Sequence, residues 1–218
     1  MYMLVSHFTT LYPFLTSAFP RKQHKASADT EVMSQGDIDA FIESVRYGTL
    51  TPQGVTTAVA RGIPVNGRNS GWNTTALYYA VRFERRELVV ALLAAGADAN
   101  VKNRYGETSV WKGAFESTAD ILQLVINGGG NVNEPNNYGE APLIAVGLWN
   151  KGNAPGRLQV LLACPELDLD ATYQCKTAEQ WAATADYPEL VVAIAQERRR
   201  RERWSNVRCA WVAAIARS

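Results

Sequence analysis

Ala91-Leu92-Leu93-Ala94-Ala95-Gly96-Ala97-Asp98-Ala99-Asn100 returns 33 residues later as Leu124-Val125-Ile126-Asn127-Gly128-Gly129-Gly130-Asn131-Val132-Asn133. A looser copy, Ala58-Val59-Ala60-Arg61-Gly62-Ile63-Pro64-Val65-Asn66, precedes both. A unit of this length cannot bury its own apolar face. Each copy must stack on the next, and the product is a solenoid. Function in such a molecule lies on an extended surface rather than in an enclosed pocket.

The unit from 70 to 103 sets the pattern. Thr75-Ala76-Leu77-Tyr78-Tyr79-Ala80-Val81 opens a short helix, with Thr75 placed to cap the free N–H groups of its first turn. Leu88, Val89, Leu92 and Leu93 stand at helical spacing and give a second apolar face. Gly96 ends that helix, because a left-handed cap costs glycine little. Ala97 to Arg104 is too polar for a buried strand and suits a projecting hairpin loop.

Thr108-Ser109-Val110-Trp111 and Ala141-Pro142-Leu143-Ile144 repeat the helix start at intervals of 33, while Val125-Ile126 answers Leu92-Leu93 and Gly128 stands near the place of Gly96. Cys175-Lys176-Thr177-Ala178-Glu179-Gln180-Trp181-Ala182 begins a final unit, whose second helix starts near Pro188. Residues 36–69 read as an N-terminal cap: helix, Gly48, Pro52 in a first turn, helix, Gly62. The repeats then fall at about 70–103, 104–136, 137–171 and 172–196.

These residues resemble the ankyrin repeat family from about 36 to 196, above all at Leu92 to Asn100 and at Gly139-Glu140-Ala141-Pro142-Leu143. The resemblance implies an all-α ankyrin-repeat solenoid of stacked helix–turn–helix units with projecting hairpin loops. Two departures stand out. The family histidine is replaced by Tyr78, Trp111, Ile144 and Gln180, so the hydrogen-bond network it anchors is absent or rebuilt. In the third repeat, Leu143 to Leu161 spans 18 residues where Leu77 to Leu92 spans 15. Lys151-Gly152-Asn153-Ala154-Pro155-Gly156 reads as an inserted turn, and the repeat's loop is Pro165-Glu166-Leu167-Asp168-Leu169-Asp170.

The family grips other proteins with its hairpin tips and the concave face of its first helices. The resemblance therefore implies a non-catalytic adaptor or scaffold with a protein partner. Carried over position by position, the residues just before the turns are Trp72, Tyr105 and Tyr138, at spacings of 33 and 33. Aromatic side chains suit interfaces because they offer large area with few rotamers to freeze. The competing reading is that these three pack against neighbouring hairpins. A second row, Phe83, Phe115 and Leu148-Trp149, would line the concave groove, although Trp149 also stands where it could cover the insertion. Arg82, Lys102, Arg104, Glu116 and Glu140 would form the polar rim.

Catalytic chemistry finds little footing. The histidines are His7 and His24, both before the repeats, so Cys164, Cys175 and Cys209 lack the usual partner of a nucleophilic pair. Gly128-Gly129-Gly130 is not followed by the Lys-Ser/Thr of a phosphate loop. Glu166, Asp168 and Asp170 alternate like cation ligands but lack the glycine and spaced acids of a calcium loop. No catalytic residue, cofactor, metal or small-molecule substrate is expected.

The ends differ from the body in charge. Residues 1–32 carry +1, residues 197–218 carry seven arginines against Glu197 and Glu202 for +5, and the body between carries −5, for a net charge of +1. The first 32 residues, rich in aromatics and interrupted by Pro13, read as a disordered or targeting arm, and Met33 begins a segment that looks like an ordinary protein start. In 197–218, Trp204, Val207, Trp211 and Ile215 recur at spacings of 3, 4 and 4, the stripe of a basic amphipathic helix. Three readings stay open for it: a cap folded back on the last repeat, docking in a partner groove or on a second copy, and membrane-surface binding. The alternative to the adaptor is an accessory factor binding nucleic acid or anionic membrane through Arg198, Arg199, Arg200, Arg201 and Arg203. Three scattered cysteines without a C-x-x-C pair suit reduced thiols in the cytoplasm, or the nucleus. Mitochondrial targeting by residues 1–32 is the weaker expectation, because their basic residues cluster at 21–25.

Overall fold

A threonine closes the first turn of the helix that opens three of the four repeats. In the computed structural model, which describes residues 33–149 and 154–215 with side chains as far as Asn206, Thr75, Thr108 and Thr177 accept hydrogen bonds from the backbone N–H groups of Tyr78, Trp111 and Gln180. The expectations for residues 1–32 and for 150–153 lie outside the described residues.

Among the described residues, five helix pairs follow one another: α1 (Gln35–Tyr47) with α2 (Pro52–Ala60), α3 (Ala76–Arg82) with α4 (Arg86–Ala94), α5 (Ser109–Glu116) with α6 (Ala119–Asn127), α7 (Pro142–Trp149) with α8 (Ala154–Leu162), and α9 (Ala178–Thr184) with α10 (Pro188–Ile215). First helices pack on first helices, α1 on α3, α3 on α5, α5 on α7 and α7 on α9. Second helices do the same from α2 through α10. The two layers are the expected all-α solenoid. Strand structure among the described residues is one hairpin before α9, in which β1 (Thr172–Tyr173) pairs antiparallel with β2 (Lys176–Thr177).

The core lies between the layers. Leu77, Leu92, Leu122, Leu143, Leu158 and Leu161 are buried there. In α7 every residue from Pro142 to Gly147 is buried, because α5, α8 and α9 enclose it. Gly147 allows that enclosure: a Cβ there would stand 2.7 Å from the Ala178 carbonyl oxygen.

Two local readings change. The left-handed residue after α6 is Gly129 (φ +92), matching Gly96 (φ +91), whereas Gly128 (φ −74) is the helix cap. Gly129 is also the residue 33 after Gly96, so the exact period holds and Gly128 stands one residue early. Ala154, Pro155 and Gly156, expected in the inserted turn, form the first turn of α8, where a proline needs no backbone N–H.

A ladder of asparagines stitches the loops together. Asn66 accepts from Asp98 N–H at 2.8 Å, Asn100 accepts from Asn131 N–H at 2.7 Å, and Asn133 accepts from Asp168 N–H at 2.9 Å. Each also donates its amide onward, to the carbonyls of Gly96, Gly129 and Glu166. The Glu166–Asp170 acids thus belong to the repeat: Asp168 Oδ1 accepts from Asp170 N–H at 2.8 Å, as Asp98 Oδ1 does from Asn100 N–H. Asn100→Ala removes two inter-repeat bonds and is expected to cost about 1–2 kcal/mol. Urea unfolding followed by circular dichroism checks this.

The C-terminal segment is not a separate helix folded back on the last repeat. From Pro188 to Ile215 the chain is one helix of 28 residues, because no glycine or proline interrupts it and Glu197 pairs with Arg200 and Arg201 one turn on. Its first turns take the second-helix place beside α8 and α9. Arg198 and Arg201 then end the ladder. Arg198 pairs with Asp170, which stands in the asparagine position, and donates to the Leu169 carbonyl at 3.1 Å. Arg201 donates to the carbonyls of Leu167 at 2.6 Å and Cys164 at 3.0 Å. Guanidinium donors thereby meet the carbonyls of this last loop. Trp204 is exposed, and the side chains of Val207, Trp211 and Ile215 lie outside the described residues.

Candidate functional site

Three hairpin turns carry the first aromatic row. Asn103 Oδ1 accepts from the N–H groups of Tyr105 and Glu107, and Asn136 Oδ1 accepts from those of Tyr138 and Glu140, which folds each tip into a tight turn. Asn69 Oδ1 does the same for Trp72 and Thr74. The residue after each aromatic is left-handed: Gly106 and Gly139 in two turns, and Asn73 (φ +56) in the first. Neighbouring tips join through the backbone, Arg104 N–H to the Trp72 carbonyl at 3.0 Å and Asn137 N–H to the Tyr105 carbonyl at 2.9 Å.

The aromatics project from this rigid edge. Trp72, Tyr105 and Tyr138 are 48%, 37% and 63% exposed. Trp72 and Tyr105 stack, ring centroids 5.8 Å apart at 28°, and the Arg104 guanidinium lies 5.9 Å from the Trp72 ring centre. Packing between hairpins and exposure to solvent therefore coexist: two rings brace each other and stay partly exposed. Tyr138 stands apart from that stack.

The second row lines the first helices. Phe83 stacks on buried Tyr79 at 6.1 Å, and Arg82 lies over its ring at 5.6 Å. Phe115 stacks on buried Trp111 at 5.1 Å and meets the edge of Trp149 at 6.1 Å. Phe83 and Trp149 are exposed and Phe115 is half-buried. Each groove ring thus rests on a core ring beneath it or on a neighbour.

The expected rim divides. Arg82 and Arg104 are exposed as expected. Lys102 is half-buried, pairing with Glu134 at 2.6 Å and donating to the Pro135 carbonyl. Glu116 is half-buried and accepts from Lys112 at 2.7 Å. Glu140 is not a rim residue. It is buried, and its carboxylate accepts from Asn136 Nδ2 at 2.8 Å, bracing its own hairpin. Glu107 does the same for Asn103 and also accepts from the Tyr78 hydroxyl, so a phenol and a carboxylate join α3 to the second tip at the position where a histidine was expected. Burial and that carboxylate hold the Tyr78 phenol protonated far above its ordinary range.

Lys112 is the residue that sequence reading passed over. Its side chain is 8% exposed, and its ammonium lies 4.9 Å from the Phe115 ring centre. The sequence signal was a lysine four residues before Glu116 on a short helix otherwise carrying apolar and small residues. Burial pulls the Lys112 amine below its ordinary range, and Glu116 opposes the shift. A base depressed in the folded state binds fewer protons there than when unfolded, so stability rises with pH from the folded value up to the ordinary lysine value. Glu116→Gln leaves the ammonium buried without its partner and is expected to cost about 2 kcal/mol at pH 7. The loss shrinks towards pH 10 as the amine deprotonates, whereas Lys112→Met costs less at both pH values. Urea titrations of both variants at pH 7 and pH 10 check the asymmetry.

Surface depressions do not rival this face. One of about 900 Å³ lies open between α8 and α10, lined by Gln159, Leu162 and Arg199 among others. Another, of about 640 Å³, lies open at the first hairpin and is lined by Arg68, Asn69, Asn73 and Arg104. No helix among the described residues is long and apolar enough to cross a membrane.

A family model described as Ankyrin repeat matches residues 72–104, the stretch from the first tip aromatic through α3 and α4 to the second tip. The Neurogenic locus Notch protein of Drosophila melanogaster is 30% identical over 95 residues, covering 43% of this chain and 4% of that protein. The chain therefore matches a small part of that relative's length.

Proposed function

We propose that this chain, an ankyrin-repeat protein, is a non-catalytic adaptor that holds a protein partner between its hairpin tips and the groove of its first helices. Ankyrin repeats are in general protein–protein interaction modules, and the finer assignment rests on one observation. Large aromatic side chains stand exposed in two rows, at Trp72, Tyr105 and Tyr138 on the tips and at Phe83 and Trp149 on the first helices. Exposed apolar groups set side by side, as Trp72 is with Tyr105 and Phe115 with Trp149, mark a surface meant to be covered. Hydrogen-bonded hairpins pre-order the tips, so little conformational freedom is lost on binding. On this reading the protein works in the cytoplasm, where its cysteines stay reduced.

The alternative, nucleic acid or membrane contact through the arginine run, finds less support. Arg198, Arg200 and Arg201 are engaged with carboxylates or backbone carbonyls of the same chain, whereas Arg199 and Arg203 meet no carboxylate among the described residues. Affinity capture from cell extract with the full chain, beside its Trp72→Ala/Tyr105→Ala/Tyr138→Ala form, tests the adaptor reading. A protein retained by the first and lost by the second supports it; identical captures would move the interface elsewhere.

A further inference from the structure

The charges on the three tips and on α3, α5 and α7 are unequal in what they offer a partner. From 67 to 83, 101 to 116 and 134 to 149 the cations are Arg68, Arg82, Lys102, Arg104 and Lys112, and the acids are Glu107, Glu116, Glu134 and Glu140. All four acids are spent within the chain; Glu84, directly after Phe83, is a fifth, exposed acid at the end of α3. Glu116 and Glu134 pair with Lys112 and Lys102, and Glu107 and Glu140 accept from the asparagines of their own turns. Arg68, Arg82 and Arg104 are exposed, and no carboxylate among the described residues lies within ion-pair distance of them.

Their placement matters as much as their number. Arg68 and Arg104 border one open depression at the first tip, beside Trp72. Arg82 ends α3 over the Phe83 ring, and its field reaches both Tyr78 and Lys112, which puts it on the groove side. Guanidinium groups thus stand at the first tip, from Arg68 of the cap and Arg104 of the next repeat, and at the far end of α3, with the exposed rings of Trp72 and Phe83 beside Arg104 and Arg82. Guanidinium matches carboxylate in shape and charge, and it does so with less dehydration cost than an ammonium.

We infer that the occupant of this face is an acidic segment of the partner protein, its carboxylates meeting Arg68, Arg82 and Arg104 and its apolar side chains resting on Trp72 and Phe83. This inference rests on the adaptor reading and adds the chemistry of the partner. Charge complementarity of this kind chooses the partner and speeds encounter, while the rings hold it.

Selection from a phage-displayed library of random 12-residue peptides tests it, using the full chain, an Arg68→Glu/Arg82→Glu/Arg104→Glu form and the Trp72→Ala/Tyr105→Ala/Tyr138→Ala form. Circular dichroism first establishes equal folding. An Arg68→Gln/Arg82→Gln/Arg104→Gln form serves in place of the glutamate form if that one is unfolded. The full chain is expected to enrich peptides with excess Asp and Glu beside Leu, Phe or Trp. The charge-reversed form should lose them, with affinity for a representative peptide falling at least about tenfold. Enrichment of neutral or basic peptides by the full chain, or the same acidic peptides kept by the charge-reversed form, overturns the acidic partner. If such peptides are still lost on alanine substitution of the tips, the adaptor face stands and its charge preference alone falls. If no form enriches any peptide, the acidic-segment inference is overturned, and the adaptor reading rests on capture of an intact partner.

Discussion

Replacing Trp72, Tyr105 and Tyr138 together by alanine is expected to weaken partner binding by at least about a hundredfold while leaving thermal unfolding almost unchanged. The two halves follow from different observations. Trp and Tyr are the residues most often found to carry interface energy, and truncating a well-covered one costs about 2 kcal/mol or more, so two anchors already account for the hundredfold. Stability is spared because the rings are 37% to 63% exposed, and the turns beneath them are held by backbone and asparagine bonds that alanine does not touch. Within the chain the substitution breaks the Trp72–Tyr105 stack, and an exposed ring pair contributes about 0.5–1 kcal/mol. Isothermal titration calorimetry with the captured partner, beside a thermal melt, measures both.

Arg198→Ala with Arg201→Ala is the second large effect, and it falls on folding. The Arg198–Asp170 pair contributes little, since the aspartate is 78% exposed. The carbonyls matter more. Leu167, Leu169 and Cys164 are buried residues, and their carbonyls at the open end of the stack receive the two guanidinium groups. Leaving them without those donors is expected to cost about 2–4 kcal/mol in all. The loss is expected to be local, fraying α9 and α10 before the central repeats, because repeats communicate mainly with their neighbours. Arg199→Ala with Arg203→Ala changes stability by less than about 0.5 kcal/mol, as surface substitutions away from such bonds usually do. Hydrogen exchange along the chain separates the pairs: the first pair speeds exchange near α9, the second does not.

The contrast also explains why the arginine run misleads when read as a string. Charge on paper looks like an address label. In three dimensions the helical turn brings Glu197 beside Arg200 and Arg201 and turns Arg198 and Arg201 towards the last loop. The fold itself was legible because its signals are local: a capping threonine, an apolar pair one helix later, and a glycine to end it. Reading Gly128 as the counterpart of Gly96 misses by one residue: the period of 33 falls on Gly129, and the geometry agrees with the period.

The candidate face was legible in its aromatics and illegible in its acids. Trp72, Tyr105 and Tyr138 are exposed where the period placed them, because a turn position points outward in every copy. Glu140 occupies an equally regular position and is buried, since Asn136 four residues earlier draws its carboxylate inward. That asparagine, like Asn66, Asn100 and Asn133, takes its meaning from bonds to backbone groups, and backbone groups leave no trace in a residue pattern. Lys112 was missed for a related reason: a lysine reads as solvent-facing until the rings around it are in place.

The most direct test of the hairpin face compares two surfaces against one ligand. With the captured partner in hand, its affinity is measured by calorimetry for the full chain, for the Trp72→Ala/Tyr105→Ala form and for the Arg199→Glu/Arg203→Glu form. A loss of at least about a hundredfold is expected for the first variant and less than about threefold for the second. Retained affinity in the tip variant, with loss in the tail variant, would contradict the hairpin face as the binding surface and move the interface to the C-terminal helix.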